Sequence, residues 1–383
     1  MSAELSHHPS VSPLSAADID GAAKRIAAVV NPTPLQFSDR LSAVTGARVY
    51  LKREDLQVVR SYKLRGAYNL LVQLSEAELA AGVVCSSAGN HAQGFAYACR
   101  MLQVQGRVYV PAKTPMQKRD RIRYHGGDFI DLIVGGATYD LAAEAALADV
   151  ASTGATLVPP YDDLRTMAGQ GTIAAELLDQ LGGEPDLVVV PVGGGGCIAG
   201  ITTYLAERTD NTSVLGVEPA GAAAMMAALA AGEPVTLDEV DQFVDGAAVR
   251  RAGDLTYATL AAAGDMVSIT AVDEGAVCTA MLDLYQNEGI IAEPAGALSV
   301  AGLLDVDIEP GSTVVCLISG GNNDVSRYGE VLERSLVHLG LKHYFLVDFP
   351  QEPGALRRFL DTVLGPNDDI TLFEYVKRNN RET

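Results

Sequence analysis

The chain has 383 residues, 48% of them hydrophobic and 20% charged, a globular composition spread over more length than one core usually organises. Lys and Arg number 28 against 48 Asp and Glu, a formal charge of −20. So acidic a surface repels nucleic acid and anionic membranes, and no apolar run is long enough to cross a bilayer, so neither partner is expected.

In chain order, the opening stretch MSAELSHHPSVS has neither an apolar core nor a basic leader and reads as a loose tail, with no metal role for His7 and His8. The first 45 residues are expected to pack on the larger of two lobes. SYKLRGAYN, from Ser61, begins a helix. GVVCSSAG then reads as a strand leading into the helix HAQGFAYACRML, GRVYVPA leads into PMQKRDRIRYHG, and DFIDLIVG into TYDLAAEAALADV. Further on, DLVVVPVGGGG precedes IAGITTYLAER and SVLGVEP precedes AAAMMAALAAG, with VVCLISGGN as a last buried strand. Residues 187–192 are apolar throughout, as in parallel strands covered on both faces. This alternation predicts an α/β protein with two doubly wound parallel-sheet lobes. The smaller lobe is placed at about 50–161 and the larger at about 1–49 and 162–325, together a catalytic region 1–325. A connecting helix is expected over 326–342. Residues 343–383 then read as strand (HYFLVDFP), helix (EPGALRRFLDTVLG) and strand (DDITLFEYVKR), a unit too small to stand alone. Cys85, Cys99, Cys197, Cys278 and Cys316 are scattered without a CxxC pair, which fits free thiols in a reducing cytoplasm.

Four segments carry chemistry. Gly193, Gly194, Gly195 and Gly196 follow a buried strand and open a helix, so successive N–H groups can converge on one anion, aided by the helix terminus. No GKS/T follows and the GxGxxG spacing is poorly served, which leaves the phosphate of a small cofactor; the other reading is a tight strand-to-helix turn. Lys63 precedes an apolar helical face, and if it faces the cleft, desolvation lowers its pKa toward the neutral amine needed for Schiff-base chemistry. The loop Ser87, Ala88, Gly89, Asn90 and His91 offers N–H donors for a carboxylate, and Asn90 could bond a phenolic oxygen; alternatively Asn90 is a helix N-cap. Ser319 ends a strand where a parallel sheet presents its ligand crevice, unless VVCLISGGN is only a terminating turn.

Together and in this order, these segments resemble pyridoxal-5′-phosphate (PLP) enzymes of the tryptophan-synthase-β fold (fold type II), above all the biosynthetic threonine dehydratases. The likeness runs through TPL at Thr33, LKRED, SYKLRGAYN, SSAGNHAQG, VGGGGCIAG, VDGAAV, EPAGA and LISGGN, covering most of residues 30–325. It implies that Lys63 holds PLP as a Schiff base, Asn90 bonds the cofactor's O3′, Gly193–Cys197 holds the phosphate and Ser319 meets the pyridine nitrogen. Glu293 and the Ser87–His91 loop become the substrate contacts. The implied reaction has Lys63 removing the Cα proton of L-threonine, or of L-serine, with loss of the β-hydroxyl and release of a 2-oxo acid and ammonia. For threonine that is 2-oxobutanoate, in the first step of isoleucine biosynthesis. The neutral Ser319 leaves the ring a milder electron sink than a carboxylate would, which favours elimination over transamination.

Serine racemases of this fold carry a second Ser where this chain has Ala88, which cannot transfer a proton; elimination is therefore expected over racemisation. They also bind a divalent ion beside a VEP-like segment, but Glu218-Pro219-Ala220-Gly221-Ala222-Ala223-Ala224 lacks the second carboxylate, and no metal is expected. Beyond His343 the chain resembles the start of an ACT-like regulatory domain that senses isoleucine and valine. The pattern stops at Thr383 before its further strands and helix, so weak or absent isoleucine inhibition is expected. The family also implies a homotetramer. Rival readings are a catabolic threonine or serine dehydratase, which usually lacks the C-terminal domain, a threonine synthase, a sulfhydrylase, or a non-catalytic amino-acid sensor, which would not need Lys63.

Overall fold

Among the residues that the computed structural model describes, 14–348 and 352–374, ten strands form two sheets. In chain order they are β1 (Leu35–Phe37), β2 (Arg48–Arg53), β3 (Val83–Ser86), β4 (Gly106–Val110), β5 (Ile130–Val134), β6 (Thr156–Leu157), β7 (Leu187–Pro191), β8 (Ser213–Pro219), β9 (Val267–Val272) and β10 (Thr313–Ile318). The larger sheet runs β1-β2-β10-β7-β8-β9, parallel apart from the β1–β2 pair. The smaller, β5-β4-β3-β6, is wholly parallel.

The central strands show why β7, and β10 beyond Thr313, are apolar throughout. Along β10, Val314, Cys316 and Ile318 join one hydrophobic cluster while Val315 and Leu317 join another. In β7, Val189 faces the first cluster and Val188 and Val190 the second. With side chains alternating across a strand, both faces must be covered, and hydration no longer favours a polar residue on either. All five cysteines are buried in these layers as free thiols, Cys85 and Cys99 under the smaller sheet and Cys197, Cys278 and Cys316 around the larger one.

One boundary differs from the sequence expectation. Residues 48–53 form β2 of the larger sheet, in register with β10 from Arg48↔Thr313 onward, whereas the sequence pattern divides them between the two lobes at about residue 50. The pairing joins segments far apart in the chain, and nothing in the local alternation of RVYLKR specifies a partner. The smaller sheet begins at Val83.

Three helices, Lys63–Leu71, Leu164–Leu181 and Gly196–Arg208, stack in contact, the middle one between the other two. The approach is too close for side chains. A Cβ on Gly169 would lie 2.5 Å from the Arg65 carbonyl oxygen, and one on Gly200 would lie 2.2 Å from that of Met167. Only glycine permits backbones to meet at this distance.

Beneath the first of these helices lies a group of four charges, three of them buried and Glu176 partly exposed. Arg65, fully buried, donates from Nε and Nη2 to Glu54 at 2.9 and 2.8 Å, from Nη1 and Nη2 to Glu176 at 2.7 and 2.9 Å, and from Nη1 to Thr172 at 3.0 Å. Lys52 places its three donors on Glu176, Gln180 and the Thr33 carbonyl. Two cations face two carboxylates and every N–H of both cations is used.

The chain divides into two compact units, Met1–Leu341 and Lys342–Thr383. The first ends with the helix Tyr328–His338, which buries Val331 and Ser335. The second contains the helix Ala355–Val363; Arg357 and Arg358 are exposed on it, while Leu356, Phe359 and Leu360 are partly covered. Residues 343–348 and 368–374 lie in no strand, and the rest of the two strands expected there falls outside the described residues.

Candidate active site

Lys63 is the first residue of its helix, with Tyr62 as the flanking cap. Its amine donates to the Pro160 carbonyl at 3.0 Å. Burial lowers its pKa from 10.5 to about 8, and the neighbouring Cys197 and Glu293 oppose part of that shift. At pH 7 such an amine is neutral in about one molecule in ten, several hundredfold more than an ordinary lysine. That is the form a carbonyl-directed nucleophile or a base requires.

Facing it is the glycine run. It follows β7, and Gly195 sits at φ 93°, a conformation in which any side chain would be strained. The N–H groups of Gly193, Gly194 and Gly195 meet no acceptor among the described residues, and those of Gly196 and Cys197 belong to the helix's unpaired first turn. On their other side the glycines are walled in. A Cβ at Gly194 would lie 2.4 Å from the Tyr161 ring and one at Gly193 would lie 2.9 Å from the Ala247 carbonyl. The loop is thus a backbone cradle with its donors left for a small anion. Such a cradle fits the phosphate of PLP, and Lys63 fits its aldehyde.

Asn90 is the first residue of the helix Asn90–Leu102, and Gly89 occupies the cap position. Its side chain does not cap the helix. It donates from Nδ2 to Glu293 and accepts at Oδ1 from Asn322 at 2.8 Å, while Asn322 also donates to the Val59 carbonyl. Gly320 lies between them: a Cβ there would fall 2.2 Å from Glu293 Oε1 and 3.2 Å from Asn90 Nδ2. Glu293 is almost wholly buried, and burial first, then the charge of Asp245, raises its pKa to about 7. Ser319, 3% exposed, donates from its hydroxyl to the Ala295 carbonyl at 3.2 Å. Its own carbonyl accepts the Tyr62 N–H at 3.2 Å, which ties the end of β10 to the residue before Lys63.

His91 is buried with Nε2 2.8 Å from the Val158 carbonyl, an acceptor, so the proton belongs on Nε2 and Nδ1 is left without a partner. Burial and the charge of Lys63 hold its pKa down at about 3, and the ring stays neutral. Ser87 accepts the Gly89 N–H at 3.2 Å, and the methyl of Ala88 packs against the smaller lobe's core. Lys63, Asn90, His91, Cys197, Glu293 and Ser319 therefore share one neighbourhood, whereas Ser87, Ala88 and Gly89 stand at its edge, making local contacts.

Sequence reading passed over several residues here. Tyr161 walls the cradle, Thr256 donates to the Gly194 carbonyl at 2.7 Å, and Asp162 accepts the N–H groups of Asp254 and Leu255 that open the helix Asp254–Ala263. No local pattern in PPYDD or DLTY marks them. Asn322 could have been found, because it directly follows the glycines after Ser319. Glu218 is also buried and accepts the N–H groups of Met225 and Met226, each at 2.8 Å, capping the helix Ala224–Ala231.

Fold and site together define a PLP-dependent enzyme of fold type II. Comparison with known proteins narrows the class: the pyridoxal-phosphate dependent enzyme family matches residues 26–320, and the C-terminal regulatory domain of threonine dehydratase matches residues 333–383. The biosynthetic L-threonine dehydratase IlvA of Mycobacterium tuberculosis H37Rv is 89% identical over 100% of this chain and 90% of that protein. Its counterpart in Corynebacterium glutamicum is 61% identical over 97% of this chain and 86% of that one. Among solved structures, the processed threonine deaminase isoform 2 of Solanum lycopersicum superposes with a TM-score of 0.77 at 37% identity, covering 85% of this chain and 96% of its own. The chain belongs to the biosynthetic threonine dehydratase family.

Proposed function

We propose that the protein carries out the PLP-dependent deaminating dehydration of L-threonine to 2-oxobutanoate and ammonia, the first step of isoleucine biosynthesis, with L-serine as a second substrate. The observation that carries this reading is the desolvated Lys63 amine beside the Gly193–Cys197 cradle. When bound, PLP supplies the electron sink that makes the substrate's α-proton removable and its β-hydroxyl a leaving group. The chain's residues supply placement and proton handling. Gly193, Gly194, Gly195, Gly196 and Cys197 would hold the phosphate through backbone N–H groups, Asn90 would bond O3′, and Ser319 would offer a neutral hydroxyl to the ring nitrogen. The Lys63 amine takes the proton from the substrate Cα. Ser87, Gly89 and His91 orient the substrate carboxylate from the helix start, and Glu293, bonded to Asn90, borders the same space. Ala88 offers no acid on the opposite face, so no proton returns there to racemise the substrate.

The regulatory match over residues 333–383 favours a biosynthetic enzyme over a catabolic one. Isoleucine and valine are its proposed effectors, a homotetramer its assembly and the cytoplasm its compartment; among the described residues no helix is long and apolar enough to cross a membrane. A coupled assay for 2-oxobutanoate from threonine alone tests the reaction, and borohydride reduction followed by peptide mapping tests the attachment point. Absence of product would overturn the first, and a label on any residue other than Lys63 the second.

A further inference from the structure

Outside the site lies a cleft of about 110 Å³, well below the size of a drug-like pocket and suited to an anion of a few heavy atoms. Its lining includes Arg60, Gln93, Lys118, Arg121, Asn322 and Asp324. Asn322 is the residue that bonds Asn90, so the cleft adjoins the active site.

Three observations make this lining unusual. In a chain of net charge −20, three cations line one small cleft opposite a single carboxylate. Asp324 is occupied locally by the N–H and hydroxyl of Ser326, and Lys118 is paired with Asp245. Among the described residues, neither Arg60 nor Arg121 pairs with a carboxylate; both are only half-exposed. The nearby Asp55 is taken by Arg53.

Second, Arg60 has φ 58°, one of two non-glycine residues in the left-handed region among the described residues. It is held there by its N–H to Gln57 at 2.7 Å and by Gly321 N–H to its carbonyl at 2.9 Å. That conformation costs a side-chain-bearing residue about 1–2 kcal/mol, and glycine would adopt it without strain. Backbone geometry alone does not call for an arginine here, and residues held in this way cluster where ligands bind. Third, Gln93 is 3% exposed and its Oε1 has no hydrogen-bond partner; turned over, the same amide presents two N–H donors.

We propose that this cleft is a carboxylate-binding vestibule, in which Arg60 and Arg121, with Gln93 beside them, hold a small carboxylate on its way into or out of the active site. Planar guanidinium groups are the side chains best matched to a carboxylate. Naming the carboxylates rests on the reaction proposed above: threonine entering and 2-oxobutanoate leaving both carry one. The site itself rests on Arg60, Gln93 and Arg121.

The test uses the holoenzyme and the variants Arg60→Gly and Arg121→Gln. Threonine saturation curves and calorimetric titration with 2-oxobutanoate are compared with the unaltered protein. Removing one charge-assisted contact should weaken the affected ligand about five- to tenfold. A KM that rises more than kcat falls assigns the vestibule to the substrate, and a weaker 2-oxobutanoate isotherm assigns it to the product. If neither changes in either variant, there is no vestibule. Arg60→Gly also separates folding from binding, because relief of the left-handed strain should leave the melting temperature equal or higher. Should the unaltered enzyme fail to turn over threonine, the reaction is refuted while the 2-oxobutanoate titration still judges the cleft.

Discussion

Two regions meet at the helix Lys63–Leu71 and treat polar groups in opposite ways. Behind it, Lys52, Glu54, Arg65 and Glu176 leave no cationic donor unmatched. In front, the N–H groups of Gly193–Gly195, the hydroxyl of Ser61 and Nδ1 of His91 have no partner among the described residues. Unmatched buried polar groups cost about 1–3 kcal/mol each, so a protein tolerates several together where a ligand completes them. Two residues on one helix show the difference: Arg65 is locked in place, and Lys63 is kept reactive.

Breaking the open side should give the largest effect. Lys63→Ala is expected to lower threonine turnover by about three orders of magnitude or more and to remove the borohydride-labelled peptide. Its denaturant midpoint should stay the same or rise, because a desolvated amine is lost. Unimpaired turnover would mean that the helix presents the wrong residue. Breaking the locked side should cost folding instead. Arg65→Met leaves Glu54 buried without its partner, and urea unfolding should show a loss of about 3–5 kcal/mol. Adding Glu54→Gln should restore part of it, since the stranded charge is then gone; strict additivity of the two changes would show that the pair is not coupled.

Glu218 sharpens the comparison, because it is fully bonded and still costly to ionise. Burial raises its pKa from 4.5 to about 7, against the backbone N–H bonds it accepts. Between those values the folded protein binds the proton that the unfolded chain has released. Its contribution therefore falls as pH rises from about 4.5 to 7, by up to about 3 kcal/mol. Melting curves of Glu218→Gln should decline less over that window than those of the unaltered protein, and parallel declines would contradict the assignment. The smallest effect is expected at Ser319. Ser319→Asp should raise transamination relative to elimination by about a few-fold, read from the product ratio, by holding a proton on the ring nitrogen. An unchanged ratio would show that the hydroxyl does not govern that nitrogen.

The parallel-sheet fold was legible because β7, and β10 beyond Thr313, are apolar throughout, a pattern that buried parallel strands produce locally. Gly193–Gly196 and Lys63 were legible too, since their chemistry is written in consecutive residues. Sheet membership of β2 was not, because it depends on pairing with β10, some 260 positions away. The roles of Tyr161, Asp162 and Thr256 were hidden for the same reason: each acts through a contact with a distant loop. Arg60 showed nothing in sequence, as only its φ angle and missing counter-charge mark it.

The placement of the sulfur atoms gives the molecule its own clock. No thiol is more than 4% exposed, so a bulky alkylating reagent meets none until some part of the protein opens. Cys85 and Cys99 would time such openings around the smaller sheet, and Cys278 and Cys316 around the larger one. Mass spectrometry of the modified peptides could therefore rank the two halves by how often each breathes, with no engineered label and no change to the sequence.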